Sequence, residues 1–65
     1  MRVTVNGAER ELAASNIAAL LIELSIAPEG CAVELNESVV PRARHASQAL
    51  SEGDCIEIVR LVGGG

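Results

Sequence analysis

A single stretch of this sequence repeats its apolar residues at helical spacing, and that constrains the fold more than any other feature. Ile17, Leu20, Leu21 and Leu24 fall at i, i+3, i+4 and i+7, the stripe of a helix packed by one face. One helix cannot bury that stripe alone, so the rest of the chain must supply the surface that covers it. Asn16, or Ser15 before it, has a short polar side chain able to accept a bond from the free N–H groups of the first turn. Ile22 and Ile26 are expected to widen the stripe. Ala27-Pro28 should end the helix, because proline disfavours a helical residue before it, and Gly30 follows as a further breaker.

On both sides of the helix the period changes to two. Met1, Val3 and Val5 face one way while Arg2 and Thr4 face the other, and Asn6-Gly7 then supplies two positions tolerant of positive φ, a strong hairpin signal. Glu9 to Leu12 reads as the returning strand, with Leu12 turned inward. After the helix, Cys31 to Leu35 alternates with Cys31, Val33 and Leu35 inward and Glu34 outward, and Asn36-Glu37 looks like a turn. Val39-Val40-Pro41-Arg42 is expected as a short edge strand, since proline cannot donate to a central ladder. A loosely helical or coil stretch covers Ala43 to Leu50. Glu52-Gly53-Asp54 then turns into a last strand, Cys55 to Leu61, with Ile56 and Ile58 facing the core.

The order is therefore β-β-α-β-β-β. A hairpin, one helix and further strands bury the helix stripe against a single mixed sheet, an α+β two-layer domain. The first and last strands can lie parallel and adjacent if the helix belongs to the crossover between them. This is the β-grasp, or ubiquitin-like, arrangement. It occupies residues 1–62, with a flexible glycine tail at 63–65. A domain near this size buries only about 60% of the surface of its unfolded chain, which leaves little room for a deep catalytic cavity.

Several function classes fall away on composition. The chain has no Phe, Tyr or Trp, so it offers no platform on which bases could stack, and its net charge of -4 opposes a phosphate backbone. A basic protein partner fits better than nucleic acid. No apolar run approaches the roughly 20 residues of a spanning helix, and the first residues lack a signal-like apolar region, which points to no membrane and to the cytoplasm. Cys31 and Cys55 make neither a C-x-x-C nor a zinc pattern and read as reduced, buried and inert. His45, the one imidazole, has no motif joining it to a cysteine or serine and reads as solvated or partly packed. Glu9 with Glu11, and Glu52 with Asp54, read as solvated faces and turns rather than acid–base pairs. No ligand spacing suggests a metal. The expectation is a protein that is not an enzyme and binds no cofactor.

The end of the chain is different in kind. Gly63, Gly64 and Gly65 follow directly on Val59-Arg60-Leu61-Val62. Without a Cβ such a segment is thin enough to thread a narrow channel, and it ends in a carboxylate that is inert until activated, for example as a mixed anhydride with AMP. The working part is expected to be this C-terminus.

In the order Asn6-Gly7, the helix Ile17 to Leu24, Asn36-x-x-Val39-Val40-Pro41-Arg42, Gly53-Asp54-x-Ile56-x-Ile58 and Val62-Gly63-Gly64-Gly65, the whole chain resembles the ThiS family, sulfur carriers of thiamin biosynthesis. The resemblance implies that a ThiF-like enzyme consumes ATP to adenylate the Gly65 carboxylate. Sulfur from a donor system such as a cysteine desulfurase then replaces the adenylate, giving a thiocarboxylate, and the thiazole synthase ThiG takes that sulfur into the thiazole ring. It also implies that Gly63 and Gly64 thread partner channels and that Ile58, Arg60, Leu61 and Val62, at the sheet face near the last strand, meet partners. Relatives often carry an aromatic near the positions of His45 or Leu61, and this chain does not. The small subunit of molybdopterin synthase is similar in fold and Gly-Gly end, but is usually longer and tends to have prolines before its tail. A carrier for another sulfur pathway, or a ubiquitin-like modifier passing Gly65 to a lysine, shares the chemistry up to activation.

Overall fold

The computed structural model describes residues 1–61, and in it the expected element order is realised. Strands β1 (Arg2–Val5) and β2 (Ala8–Glu11) form the first hairpin, helix α1 spans Ile17–Glu23, and β3 (Cys31–Leu35), β4 (Ser38–Val40) and β5 (Cys55–Arg60) follow. They make one five-stranded sheet in the order β2-β1-β5-β3-β4. β1 and β5 are parallel neighbours at the centre, and every other pairing is antiparallel. The helix lies in the crossover between the parallel pair, as the β-grasp arrangement requires.

Two tight turns set the register. Asn6 and Gly7 have φ of 49° and 82°, and Asn36 and Glu37 have φ of 50° and 72°. Positive φ at both central residues matches the twist of the flanking strands, so each turn closes a two-residue hairpin. Alternation then places Val3, Val5, Val33, Val40 and Ile56 on one face of the sheet, where they are buried with Ile17, Leu20 and Leu21 of α1. An aliphatic core suffices because the helix offers a narrow stripe to a single sheet face. Pro41 ends the edge strand β4, and the chain then makes a 3-10 turn at Arg42–Arg44 instead of continuing as strand.

The helix begins as expected and ends early. Asn16 Oδ1 accepts from the Ala19 N–H at 2.8 Å. The two preceding amides are satisfied by the segment after β4, Ile17 donating to Gln48 O (3.1 Å) and Ala18 to His45 O (3.0 Å). That segment is therefore a cap over the start of α1. At the other end, Leu24 is the cap and Ser25 takes φ 59°. The Ser25 N–H donates to Ile22 O (3.0 Å) and the Ile26 N–H to Leu21 O (2.8 Å), a Schellman ending three residues before Pro28. Continued helix would carry Ile26 about 180° from Ile17, out to solvent. Stopping at Leu24 brings Ile26 back against the core.

Two further expectations are corrected. Ile22 does not widen the stripe but is 78% exposed, since it lies about 150° from the stripe's centre at 100° per residue. His45 is not solvated. It is only 5% exposed, and its Nε2 sits 3.1 Å from Val40 O, a backbone partner that offsets the cost of burying an imidazole nitrogen.

Candidate functional site

The helix side of the domain contains a shallow groove of about 240 Å³ lined by Ala18, Leu21, Ile22, Pro28, Arg42, His45 and Ala46. No cysteine, serine or carboxylate joins His45 in that lining, so the groove holds no nucleophile and base pair. Among the described residues no three His, Cys, Asp or Glu are grouped to hold a metal ion, and no helix is long and apolar enough to cross a membrane.

The carboxylates set aside in the sequence work as structural ties. Glu9 and Glu11 pair with Arg2 (3.2 and 3.6 Å), and Glu11 also takes the Met1 ammonium at 2.7 Å. The hydrogen bond to Glu11 raises the Met1 ammonium above its ordinary value, and the same bond lowers the Glu11 carboxyl. Glu52 accepts from the Arg2 N–H, and Asp54 accepts from the Ser51 N–H and the Asn36 side chain. Cys31 and Cys55 are unbridged. Cys55 is exposed rather than buried, because at the start of β5 it points to the face the helix does not cover.

That uncovered face is where partner contact is available. Cross-strand register puts Val39, Glu34 and Glu57 in one row and Ala32 and Val59 in the next, with Leu61 following beside Gly30. Val39, Val59 and Leu61 are 63%, 49% and 58% exposed. Glu34 and Glu57 stand directly opposite each other, and neither has a cation within ion-pair distance among the described residues. Like charges facing across a ladder are unfavourable. The result is an aliphatic surface with an uncompensated negative centre, open to a partner that brings a positive charge.

Of the residues expected to meet partners, Leu61 lies on this face and Arg60 is exposed on the opposite side of the strand. Ile58 alternates inward and packs partly buried against the core, so the outward residue at its level is Val59. Alternation within the run Ile58-Val59-Arg60-Leu61 carried the signal that would have found Val59. Val62, Gly63, Gly64 and Gly65 lie outside the described residues. The described chain reaches Leu61, whose N–H is held by Gly30 O at 2.7 Å, at the open end of the central strand.

The model of the ThiS family matches residues 3–65. A crystal structure of the thiamine biosynthesis protein ThiS from Geobacter metallireducens is 33% identical, with a TM-score of 0.87 and full coverage of both chains. A solution structure of a thiamine biosynthesis protein from the same organism is also 33% identical, with a TM-score of 0.79, covering all of this chain and 88% of that one. Two curated relatives, from Paramagnetospirillum magneticum and Magnetococcus marinus, are each called thiazole synthase and are 42% and 39% identical over 66 residues. The alignments take in all of this chain but only 20% of each relative, so the chain spans about a fifth of their length.

Proposed function

Because the chain belongs to the ThiS family, we propose that it carries sulfur on its terminal carboxylate for a thiazole synthase. The observation that carries this reading is the family match running through the terminal glycines to residue 65, on a domain whose central strand delivers the chain to that end.

In this reading the Gly65 carboxylate attacks the α-phosphorus of ATP on a ThiF-like enzyme, and pyrophosphate leaves. A sulfur nucleophile then attacks the acyl carbon, AMP leaves, and the chain ends in a thiocarboxylate. Glycine suits both steps because no Cβ hinders the carbonyl. ATP is consumed by the activating enzyme and is not a resident cofactor here. The thiazole synthase as acceptor is supported by the two longer relatives of that name, in which a segment like this chain shares a polypeptide with a much larger remainder. Covalent linkage of two segments in some organisms fits contact between separate chains in others. Val39, Val59 and Leu61 around Glu34 and Glu57 form the docking surface, suited to a basic, apolar counterpart.

The test is intact mass of the chain after incubation with ATP, a ThiF-like enzyme and sulfide. An oxygen-for-sulfur mass change localised to the C-terminal peptide is expected. Unchanged mass with an enzyme active on its own carrier refutes the reading. High-mass conjugates that survive reducing denaturation would show a protein modifier instead.

A further inference from the structure

Backbone direction along β5 changes its neighbours at Arg60. The Leu61 N–H donates to Gly30 O (2.7 Å) and the Asn36 N–H to Cys55 O (2.8 Å), so Cys55, Glu57, Val59 and Leu61 turn their polar backbone groups toward β3. Ile56, Ile58 and Arg60 turn theirs toward β1. The Asn6 N–H takes Ile56 O (2.9 Å), and the next rung is made by a side chain: Asn6 Oδ1 accepts from the Ile58 N–H (2.7 Å) while Asn6 Nδ2 donates to Ile58 O (3.2 Å). At Gly7 the chain reverses into β2, and no rung follows. The Arg60 N–H and C=O have no partner among the described residues. A strand that is central up to Ile58 is thus an open edge at Arg60, on the way to the tail.

We infer that a strand of the adenylating partner adds to this edge, pairing with the backbone of Arg60 in the lane that β1 leaves at Asn6. The inference rests on the carrier reading and names how its tail is aligned. The enzyme must place the carboxylate of Gly65, five residues beyond Arg60, within bonding reach of a phosphate, and a displacement of about 1 Å can cost 10²-fold in rate. Apolar contact and surface charge tolerate sliding along the chain axis, whereas a backbone rung fixes that axis in steps of two residues, about 6.6 Å, because only alternate residues face this edge. Val59 and Leu61, exposed on either side of Arg60, supply the apolar contact that a single rung lacks. A second copy is a poor occupant, because antiparallel self-pairing centred here would set Arg60 against Arg60 and bring together two chains of charge -4.

The test compares Arg60→Ala with Arg60→Pro in ATP–pyrophosphate exchange on a ThiF-like enzyme, alongside amide exchange of the wild-type chain free and in complex. Both variants lose the guanidinium, and only proline also loses the N–H. Since no partner within the described chain uses that N–H, the fold is expected to survive, and melting checks this. Arg60→Pro should raise KM at least about tenfold over Arg60→Ala, and the Arg60 amide should become protected on binding. Equal KM for the two variants, or an Arg60 amide that exchanges as fast in the complex as in the free chain, overturns strand addition while wild-type exchange activity leaves the carrier reading in place. If Arg60→Pro fails to fold, amide protection in the wild type decides alone. Absence of any exchange with wild type sinks the carrier reading and this inference with it.

Discussion

Asn6 joins the first hairpin to the far half of β5, and replacing it tests both roles separately. Its backbone holds φ 49°, while its side chain makes two hydrogen bonds to Ile58 at 2.7 and 3.2 Å. Asn6→Gly keeps the backbone conformation and deletes both bonds. A typical bond contributes about 0.5–1.5 kcal/mol, and both of these are solvent-exposed, so the pair should cost about 1–2 kcal/mol. For a domain of this size each kcal/mol moves Tm by about 4–8 °C, which predicts a fall of about 5–15 °C. Asn6→Ala should melt lower still, by a further ~1 kcal/mol, because its Cβ is unfavourable in the left-handed region. Asn6→Asp keeps the acceptor and loses the donor, and should fall between wild type and Asn6→Gly. Thermal melts would be paired with amide exchange at Ile58, which should accelerate in Asn6→Gly. If Asn6→Gly melts within about 2 °C of wild type and Ile58 stays protected, the side-chain rung contributes nothing and the far half of β5, from Ile58 on, is held by β3 alone.

Four shorter predictions accompany it. Deleting Gly65, or adding a residue after it, should abolish sulfur loading without changing the melt, since one residue displaces the carboxylate by about 3.3–3.6 Å; intact mass after the loading reaction checks this. Ser25→Gly should raise stability by about 1 kcal/mol in urea unfolding, because φ 59° suits glycine and the Ser25 side chain makes no hydrogen bond among the described residues. The Met1–Glu11 pair adds a pH dependence of determined sign: the lowered Glu11 carboxyl contributes stability above its ordinary value that is lost as pH falls through the folded one, and the raised Met1 ammonium contributes stability below its ordinary value that is lost as pH climbs through the folded one. Glu11→Gln should flatten both limbs in melts across pH. Binding to the activating enzyme should weaken with added salt, because Glu34 and Glu57 present unscreened charge to a basic counterpart, and an affinity constant across a salt titration would refute the electrostatic part.

Local chemistry determined much of this protein from sequence alone. Asn6-Gly7 and Asn36-Glu37 sit at positive φ, Asn16 caps the helix, Ile17, Leu20 and Leu21 are buried, and Pro41 confines β4 to an edge. Each depends on interactions within a few residues, so each was legible. The order of elements then allowed β1 and β5 to lie adjacent and parallel with the helix in the crossover between them, as found. What the tertiary structure decided are the features set by distant partners. Helix α1 ends at Glu23 because Ile26 gains more from returning to the core than from another turn, which Pro28 could not reveal. His45 is buried because Val40 O offers it a bond and the start of α1 needs its carbonyl, a pairing invisible until the 42–50 segment folds over the helix. Ile22 and Val59 face outward, as the helical angle from Ile17, Leu20 and Leu21 and the strand parity from Ile56 and Ile58 dictate, against a stripe expected to include the one and a partner surface expected without the other. The open edge at Arg60 has no local signature at all. It exists only because β1 turns away at Asn6 while β5, fifty residues later in the fold, runs on past it.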